Sequence, residues 1–100
     1  MEIDNLVSVI IPTRNEERNI KTLVETIVKI KAPMQFEIVV VDNSDDRTAE
    51  TAELMGCRVV KGQRLGLGQA IIDGIEAARG DIALVMDADL SHDPYSIPDY

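Results

Sequence analysis

The stretch Ala83-Leu84-Val85-Met86-Asp87-Ala88-Asp89 joins an apolar run to two carboxylates placed one residue apart. A short apolar run bounded by turn residues is typical of a strand buried on both faces of a parallel sheet. Because side chains alternate along an extended chain, Asp87 and Asp89 can face one crevice. Two such carboxylates suit Mg²⁺ or Mn²⁺, and that kind of ion suits a phosphate-bearing ligand. The alternative is that aspartate simply favours the turn after a strand.

Further strands and helices are predicted on the N-terminal side of this stretch. Strands are predicted from β-branched and apolar runs at residues 6–11, ended by Pro12, and at 36–41 and 57–60. Helices are predicted from Arg18 to about Lys31, after Asp46 to about Met55, and from Gly66 to Arg79. The resulting order βαβαβαβ, with short connections, predicts an α/β fold with a parallel sheet and right-handed helical crossovers.

Composition places the chain among soluble globular proteins of one domain at most, with 45% hydrophobic and 28% charged residues. The net charge of −8 and the absence of a basic cluster argue against nucleic acid as a partner. The apolar runs are far shorter than the roughly 20 residues that span a bilayer, and no signal peptide is recognisable. The single cysteine, Cys57, is expected to be a small core residue, which fits a reducing, cytosolic compartment.

Three polar clusters fall at the predicted carboxyl ends of strands, at residues 12–16, 42–46 and 87–89. Open parallel sheets bind their ligands outside these ends. Acidic residues that converge there would repel one another unless a cation or hydrogen-bond donors lay between them. The convergence therefore favours a site for a metal ion and a nucleotide over turn chemistry alone.

The glycine-containing stretch Gly66-Leu67-Gly68 is a weaker signal. It lacks the third glycine of a dinucleotide-binding fingerprint, because Ile71 stands there, and it does not follow the first strand. It is either a place where backbone approaches an anionic ligand or a tight loop before a helix. The neighbouring Lys61 and Arg64 either neutralise phosphate charge or are plain surface residues. His92, the only histidine, likewise has either a direct role or a structural one.

With these residues identified, the chain resembles the family-2 glycosyltransferases. The matching motifs are Val9-Ile10-Ile11-Pro12-Thr13-Arg14-Asn15-Glu16, the stretch 40–48 and Asp87-Ala88-Asp89. More narrowly it resembles the dolichol-phosphate mannose synthases, through residues 65–70, 78–81 and 86–94. The resemblance implies a Rossmann-like GT-A fold, a mainly parallel sheet with flanking helices. Since residues 93–100 begin a segment that reaches no further strand or helix, residues 1–100 are expected to be its truncated N-terminal, nucleotide-sugar-binding part.

The resemblance also implies roles for the nucleotide-binding residues. Pro12, Arg14 and Glu16 would border the nucleotide, with Glu16 near the ribose or base, and Asp42 would read the base edge. The family often has two acids where this chain has Asp42-Asn43. The role of a second carboxylate is therefore missing here.

Metal and catalytic roles are implied for the acidic pair. Asp87 and Asp89 would form the catalytic D-x-D motif, with Asp87 also bordering the nucleotide and Asp89 most directly on the Mg²⁺ or Mn²⁺ that bridges the diphosphate. Some relatives carry a glutamine that can bind the metal where this chain has Ser91. Ser91 is therefore the third candidate metal ligand.

The implied reaction is transfer of a sugar from a nucleotide-sugar to a polyprenyl or dolichyl phosphate, with inversion at the anomeric carbon. GDP-mannose is the favoured donor, and a UDP-glucose-dependent enzyme of the same family is the close alternative. The acceptor phosphate is already an anion, so no general base is required. The full-length protein would be cytoplasmic, at the cytoplasmic face of a membrane, and the hundred residues alone are expected to bind donor without turnover.

Two other function classes stay open from the sequence. A haloacid-dehalogenase-type phosphatase also has an apolar strand ending in Asp-x-Asp. That motif, however, normally ends the first strand and continues with Gly-Thr, whereas here it ends the fourth and continues with Leu90-Ser91. A non-catalytic nucleotide-binding or interaction module gains weight as a hypothesis if the protein ends at Tyr100.

Overall fold

The computed structural model of the protein describes residues 6–31 and 35–86. Within them, strands and helices alternate as predicted. The elements are β1 (Val7–Thr13), α1 (Ile20–Lys31), β2 (Phe36–Asp42), α2 (Thr48–Leu54), β3 (Arg58–Lys61), α3 (Leu67–Ala77) and β4 (Ile82–Val85). The strand pairs β1–β2, β1–β4 and β2–β3 are all parallel. The predicted α/β fold with a parallel sheet is therefore confirmed.

The strand order, β3-β2-β1-β4, identifies where a ligand is expected. From β1 the chain adds β2 and then β3 on one side, and α3 then carries it back so that β4 pairs with the other side of β1. The direction of winding reverses between β1 and β4. Open parallel sheets bind ligands outside the carboxyl ends of their strands at such a reversal.

Alternation of side chains along β1 and β2 builds a core on each face of the sheet. One face packs against α1 and α2, and the other packs against α3. The first core contains Val7, Val9, Ile11, Ile20, Leu23, Val24, Ile27, Ile38, Val40, Ala52, Cys57 and Met86. The second contains Ile10, Val39, Val41 and Ala70. Helix α3 lies close to the sheet because Gly74 has no side chain, and a Cβ there would overlap Ile10.

The helix ends lie within two residues of the predicted ones. On the apolar stripe of α1, Ile20, Leu23, Val24 and Ile27 are fully buried, as predicted, whereas Val28, predicted on the same stripe, is 46% exposed. At the start of α2, the carboxylate of Asp46 accepts a hydrogen bond from the Thr48 N–H at 3.0 Å. Gly56 follows α2 with a φ of 89°, a left-handed conformation that glycine adopts without steric cost.

Pro12 does not end β1, contrary to the prediction. The strand continues to Thr13, with Pro12 opposite Val41 of β2. Pro12 has the parity of Ile10, whose carbonyl accepts the Met86 N–H on the β4 side of the strand. The missing N–H of Pro12 therefore faces away from β2, and no β1–β2 hydrogen bond is lost.

Strand β4 is exposed in the described part of the chain, so the prediction of a strand buried on both faces is wrong there. Ile82 is 50% exposed and Val85 39% exposed. The reason is positional, because β4 lies at the edge of the four-stranded sheet while the helices pack on β1 and β2. An apolar run shows the hydrophobicity of a strand but not its place in the sheet.

A polar network at the amino end of the sheet connects the α3–β4 turn to β1 and β2. The buried Ser8 donates its hydroxyl to a Glu37 carboxylate oxygen at 2.6 Å and accepts the Gly80 N–H at 2.9 Å. The same Glu37 oxygen accepts the Arg79 N–H at 2.7 Å. Arg58 lies 3.9 Å from the other carboxylate oxygen. Burial alone would raise the pKa of Glu37, but these hydrogen bonds and positive charges outweigh it and lower the pKa.

We expect Glu37→Gln to reduce the free energy of unfolding by about 1–3 kcal/mol at pH 7, since charge-assisted hydrogen bonds are lost. Folding lowers the pKa of Glu37 from its ordinary value of 4.5. The carboxylate therefore stabilises the fold fully above pH 4.5, and this stabilisation is lost as the pH falls through the lower pKa of the folded state. The difference in unfolding free energy between wild type and variant should therefore narrow as the pH falls below 4.5. Urea unfolding measures it, with the exposed Glu53→Gln as control. A pH-independent gap would contradict this account.

Candidate functional site

The loops that leave β1 and β2 hold each other at the carboxyl edge of the sheet. We call residues 14–19 the first loop and residues 43–47 the second loop. Asn15 donates its backbone N–H to the Ser44 hydroxyl at 2.7 Å, and its side-chain oxygen accepts the Asp45 N–H at 2.8 Å. The Glu16 N–H donates to the Thr48 hydroxyl at 2.9 Å. Backbone donors that the strands leave unpaired are thus satisfied across the two loops.

Asp42 lies at the base of these loops as a buried acid. It is 9% exposed and stands opposite Thr13, which is 3% exposed. The Thr13 hydroxyl donates to Asp42 Oδ1 at 2.7 Å. The bond fixes the orientation of the carboxylate, because it ties one of its two oxygens to the neighbouring strand.

A third loop, residues 62–66 between β3 and α3, packs against Asn43. The Gly62 N–H donates to the Asp42 carbonyl at 2.8 Å, and the Arg64 N–H donates to Asn43 Oδ1 at 3.0 Å. A Cβ on Gly62 would overlap the Asn43 side chain. Glycine is therefore required at this position for the third loop to approach the end of β2.

An ion pair joins the second and third loops at the surface. The Arg64 guanidinium donates from Nη2 to Asp45 Oδ1 at 2.7 Å and to the Ser44 carbonyl at 3.4 Å. The Arg64 side chain is 48% exposed and that of Asp45 is 68% exposed. Such a pair is weak because water screens it.

These three loops and the start of α3 surround an open pocket of about 220 Å³. Its lining residues come from β1, from each of the three loops and from α3, and they are Pro12, Arg14, Asn43, Arg64, Gly66, Leu67 and Ala70. Two guanidinium groups and the amino end of α3 give the pocket a positive character. Anions are favoured at such a place, particularly where backbone N–H groups at a helix start point outward.

The structure separates the predicted nucleotide-binding residues. Pro12 and Arg14 line the pocket. Glu16 lies in a neighbouring depression, where its carboxylate accepts the Asn19 side-chain amide at 3.1 Å and its carbonyl accepts the Ile20 N–H at the start of α1. Asp42 lies below the loops beside Thr13.

The predicted metal ligands Asp87, Asp89 and Ser91 lie outside the described residues, as does His92. Their roles stay predictions. Within residues 6–31 and 35–86, no group of three or more His, Cys, Asp or Glu side chains could hold a metal ion. In the same ranges, no helix has the length and apolar content to cross a membrane.

Sequence reasoning missed the contributions of Thr13 and Asn43 to this region. Thr13 lies after the predicted end of the first strand, yet it belongs to β1 and orients Asp42. Asn43 was noted for its departure from the family pattern, although its side chain lines the pocket and holds the third loop. Arg64 lines the pocket beside the glycine stretch, where the sequence left phosphate neutralisation and a plain surface role open.

The pKa values of Asp46 and Cys57 are shifted in opposite directions, by hydrogen bonds in the first case and by burial in the second. Burial would raise the pKa of Asp46, but hydrogen bonds from Thr48 and from the Glu17 N–H lower it overall. Burial raises the pKa of the Cys57 thiol to about 11. Cys57 belongs to the first core, which confirms the prediction of a small core residue.

Comparison with known proteins assigns the chain to a family. Residues 8–99 match the model of glycosyl transferase family 2, and the chain therefore belongs to that family. Dolichol-phosphate mannosyltransferase of Pyrococcus furiosus is 43% identical over 98 residues, which make up 92% of this chain and 28% of that protein. The membership confirms the resemblance found in the sequence and leaves the haloacid-dehalogenase hypothesis without support.

Solved structures confirm the GT-A fold. Mannosyl-3-phosphoglycerate synthase of Rubrobacter xylanophilus superposes with a TM-score of 0.81 at 29% identity, over 92% of this chain and 33% of that one. Glucosyl-3-phosphoglycerate synthase of Mycobacterium tuberculosis, solved with Mn²⁺, UDP and glucosyl-3-phosphoglycerate, gives 0.74 at 30% identity, over 84% and 33%. The chain thus spans about a third of the length of these relatives.

We expect Gly62→Ala to destabilise the protein by about 1–3 kcal/mol, because the added methyl overlaps the Asn43 side chain. Gly68→Ala is the matched control, since a Cβ at Gly68 meets open space in the first turn of α3. The control should be neutral or stabilising by up to about 1 kcal/mol, because alanine favours a helix. Chemical unfolding compares the two variants, and equal effects would contradict the close packing of the third loop.

Proposed function

We propose that this chain forms the nucleotide-sugar-binding part of a metal-dependent, inverting glycosyltransferase that acts on a polyprenyl phosphate. The observation that carries the proposal is the pocket at the carboxyl edge of β1 and β2, which Arg14, Arg64 and the amino end of α3 line together with Asn43, the residue that follows the buried Asp42. Family membership supplies the reaction class.

The pocket suits the diphosphate portion of a donor. Two guanidinium groups and backbone N–H groups at a helix start are the groups that bind phosphate oxygens. Its volume of about 220 Å³ is below the roughly 300–1,000 Å³ that encloses a whole ligand. It therefore accommodates part of a nucleotide-sugar, and the remainder extends along the edge of the sheet.

Asp42 is the proposed reader of the nucleobase. An ionised carboxylate only accepts hydrogen bonds, so it selects a base edge that carries N–H groups. Guanine and uracil both have such an edge. Because Thr13 occupies Oδ1, Oδ2 is the oxygen assigned to the base. Asn43 adds an amide at the next position, where many relatives have a second acid.

Asp87 and Asp89, with Ser91, are the proposed ligands of Mg²⁺ or Mn²⁺. The support comes from β4, which runs parallel to β1 and ends at the same edge as the pocket, with the Met86 N–H bonded to the Ile10 carbonyl. Asp87 directly follows Met86 in the sequence. A bound divalent ion would neutralise charge on the leaving nucleoside diphosphate.

The transfer itself requires positioning more than acid–base chemistry. A phosphate oxygen of the acceptor forms the new bond to the anomeric carbon as the bond to the nucleoside diphosphate breaks on the opposite face, which inverts the configuration. The anomeric carbon passes from an oxygen of the nucleoside diphosphate to an oxygen of the acceptor phosphate, and no proton needs to move. Binding and orientation of two anionic groups by fixed positive charges can then supply most of the catalysis.

GDP-mannose is the favoured donor, and a polyprenyl phosphate such as dolichyl phosphate is the favoured acceptor. The name of the Pyrococcus furiosus relative, dolichol-phosphate mannosyltransferase, supports mannose as the sugar and dolichol phosphate as the acceptor. UDP-glucose is the second candidate donor, because the Mycobacterium tuberculosis synthase was solved with UDP and Mn²⁺. A lipid-linked acceptor would locate the full-length protein at the cytoplasmic face of a membrane.

Asp89→Asn tests the metal ligands. We expect it to weaken Mn²⁺-dependent binding of GDP or UDP by about tenfold or more, because an amide is a poorer ligand than a carboxylate. Calorimetric titration with and without Mn²⁺ measures the effect. Glu76→Gln, an exposed charge-removing change on α3, is the control and should bind like wild type. Unchanged binding by Asp89→Asn would refute the metal assignment.

Asp42→Ala tests base recognition. The variant should show a smaller preference between GDP and UDP, or should bind both about tenfold more weakly, because a site built to hydrogen-bond one base rejects a base that pairs poorly with it. Mn²⁺ should still strengthen the binding that remains. Thr13→Val removes the hydroxyl that orients the carboxylate and should give a smaller effect of the same kind. If Asp42→Ala and Asp89→Asn behave alike in both nucleotide and metal dependence, the two roles are not divided as proposed.

A further inference from the structure

The Asp45–Arg64 ion pair places an acid on the guanidinium that lines the pocket. Arg64 Nη2 donates to Asp45 Oδ1 at 2.7 Å, and the Ser44 carbonyl lies 3.4 Å from the same nitrogen. Arg64 is also part of the pocket wall. A phosphate oxygen that approached this nitrogen from the pocket would compete with the Asp45 carboxylate for it.

Arg14, the other arginine that lines the pocket, differs from Arg64 in its ion pairing. Among residues 6–31 and 35–86, ion pairs are formed by Arg58 with Glu37 and by Arg64 with Asp45, and Arg14 forms none. Within the described part of the chain, one of the two arginines that line the pocket is therefore already paired. The Asp45 side chain is 68% exposed, so its pair with Arg64 contributes little to the stability of the fold.

The backbone holds both partners of the pair so that an exchange needs only side-chain rotation. The Arg64 N–H is bonded to Asn43 Oδ1, and the residue has a φ of 58°. The Asp45 N–H is bonded to Asn15 Oδ1 at 2.8 Å. Breaking the ion pair therefore leaves the second and third loops in place. Rotation of exposed side chains is fast, so the exchange adds no slow step to binding.

We propose that Asp45 is an internal competitor for Arg64, and that binding of a nucleoside diphosphate exchanges the Asp45 carboxylate for a phosphate oxygen on that guanidinium. The proposal rests on the proposed function and adds a residue that limits affinity. The expected effect on affinity is distinctive, because removal of the Asp45 carboxylate should strengthen nucleotide binding. The gain should be about two- to fivefold, since exposed ion pairs are weak.

The experiment is calorimetric titration of GDP and UDP in the presence of Mn²⁺. Wild type is compared with Asp45→Asn, Arg64→Gln, the double variant, and Glu53→Gln as a control that removes one exposed charge from α2. We expect Asp45→Asn to bind about two- to fivefold more tightly and Arg64→Gln to bind more weakly. In the Arg64→Gln background, Asp45→Asn should have no further effect. Glu53→Gln should match wild type.

The outcomes separate the exchange from the proposed function. If no protein binds either nucleotide, the proposed function fails and the exchange fails with it. If wild type binds but Asp45→Asn binds equally or more weakly, the exchange alone is overturned. It is also overturned if Glu53→Gln tightens binding as much as Asp45→Asn, or if the gain persists without Arg64, because both results indicate a general effect of net charge.

Discussion

The parallel register of β1 on β2 is the constraint on which the rest of the structure depends. Each residue of β1 faces the residue 29 positions later in β2, from Val7 opposite Phe36 to Thr13 opposite Asp42. The same offset continues beyond the strands, where the Asn15 N–H meets the Ser44 hydroxyl. At the amino end it pairs Ser8 with Glu37. One register therefore determines two cores, the buried acid and the contact between the loops.

This constraint divides the carboxyl edge into fixed and adjustable parts. The backbone of the first and second loops is held by hydrogen bonds that its N–H groups donate to the side chains of Asn15, Ser44 and Thr48. Arg14 extends from the first loop and Arg64 from the third loop, whose backbone is bonded to Asn43; both residues are exposed and line the pocket. A held backbone with adjustable side-chain charges suits the anion binding proposed above. A backbone that is already ordered also loses less entropy when a ligand arrives.

The sequence predicted the fold class, the element order and the helix limits to within two residues, because amphipathic spacing and glycine positions are local signals. It did not predict features that depend on register or on place in the sheet. Pro12 continues β1 because its missing N–H faces away from β2, and β4 is exposed because it lies at an edge. Motifs supplied the acids proposed for the site, but the Thr13–Asp42 bond and the contact of Asn43 with the third loop join residues distant in sequence. No local pattern records such contacts.

The central claim is that a complex of metal and nucleotide binds at the carboxyl edge of β1 and β2. Paramagnetic Mn²⁺ broadens nearby resonances, so an amide spectrum recorded with GDP or UDP, first with Mg²⁺ and then with trace Mn²⁺, tests it directly. We predict selective broadening at Arg14, Asn43 and Gly66, with Glu37 and Arg79 at the opposite edge unaffected. Broadening spread evenly over the protein, or concentrated around Glu37, would contradict this account.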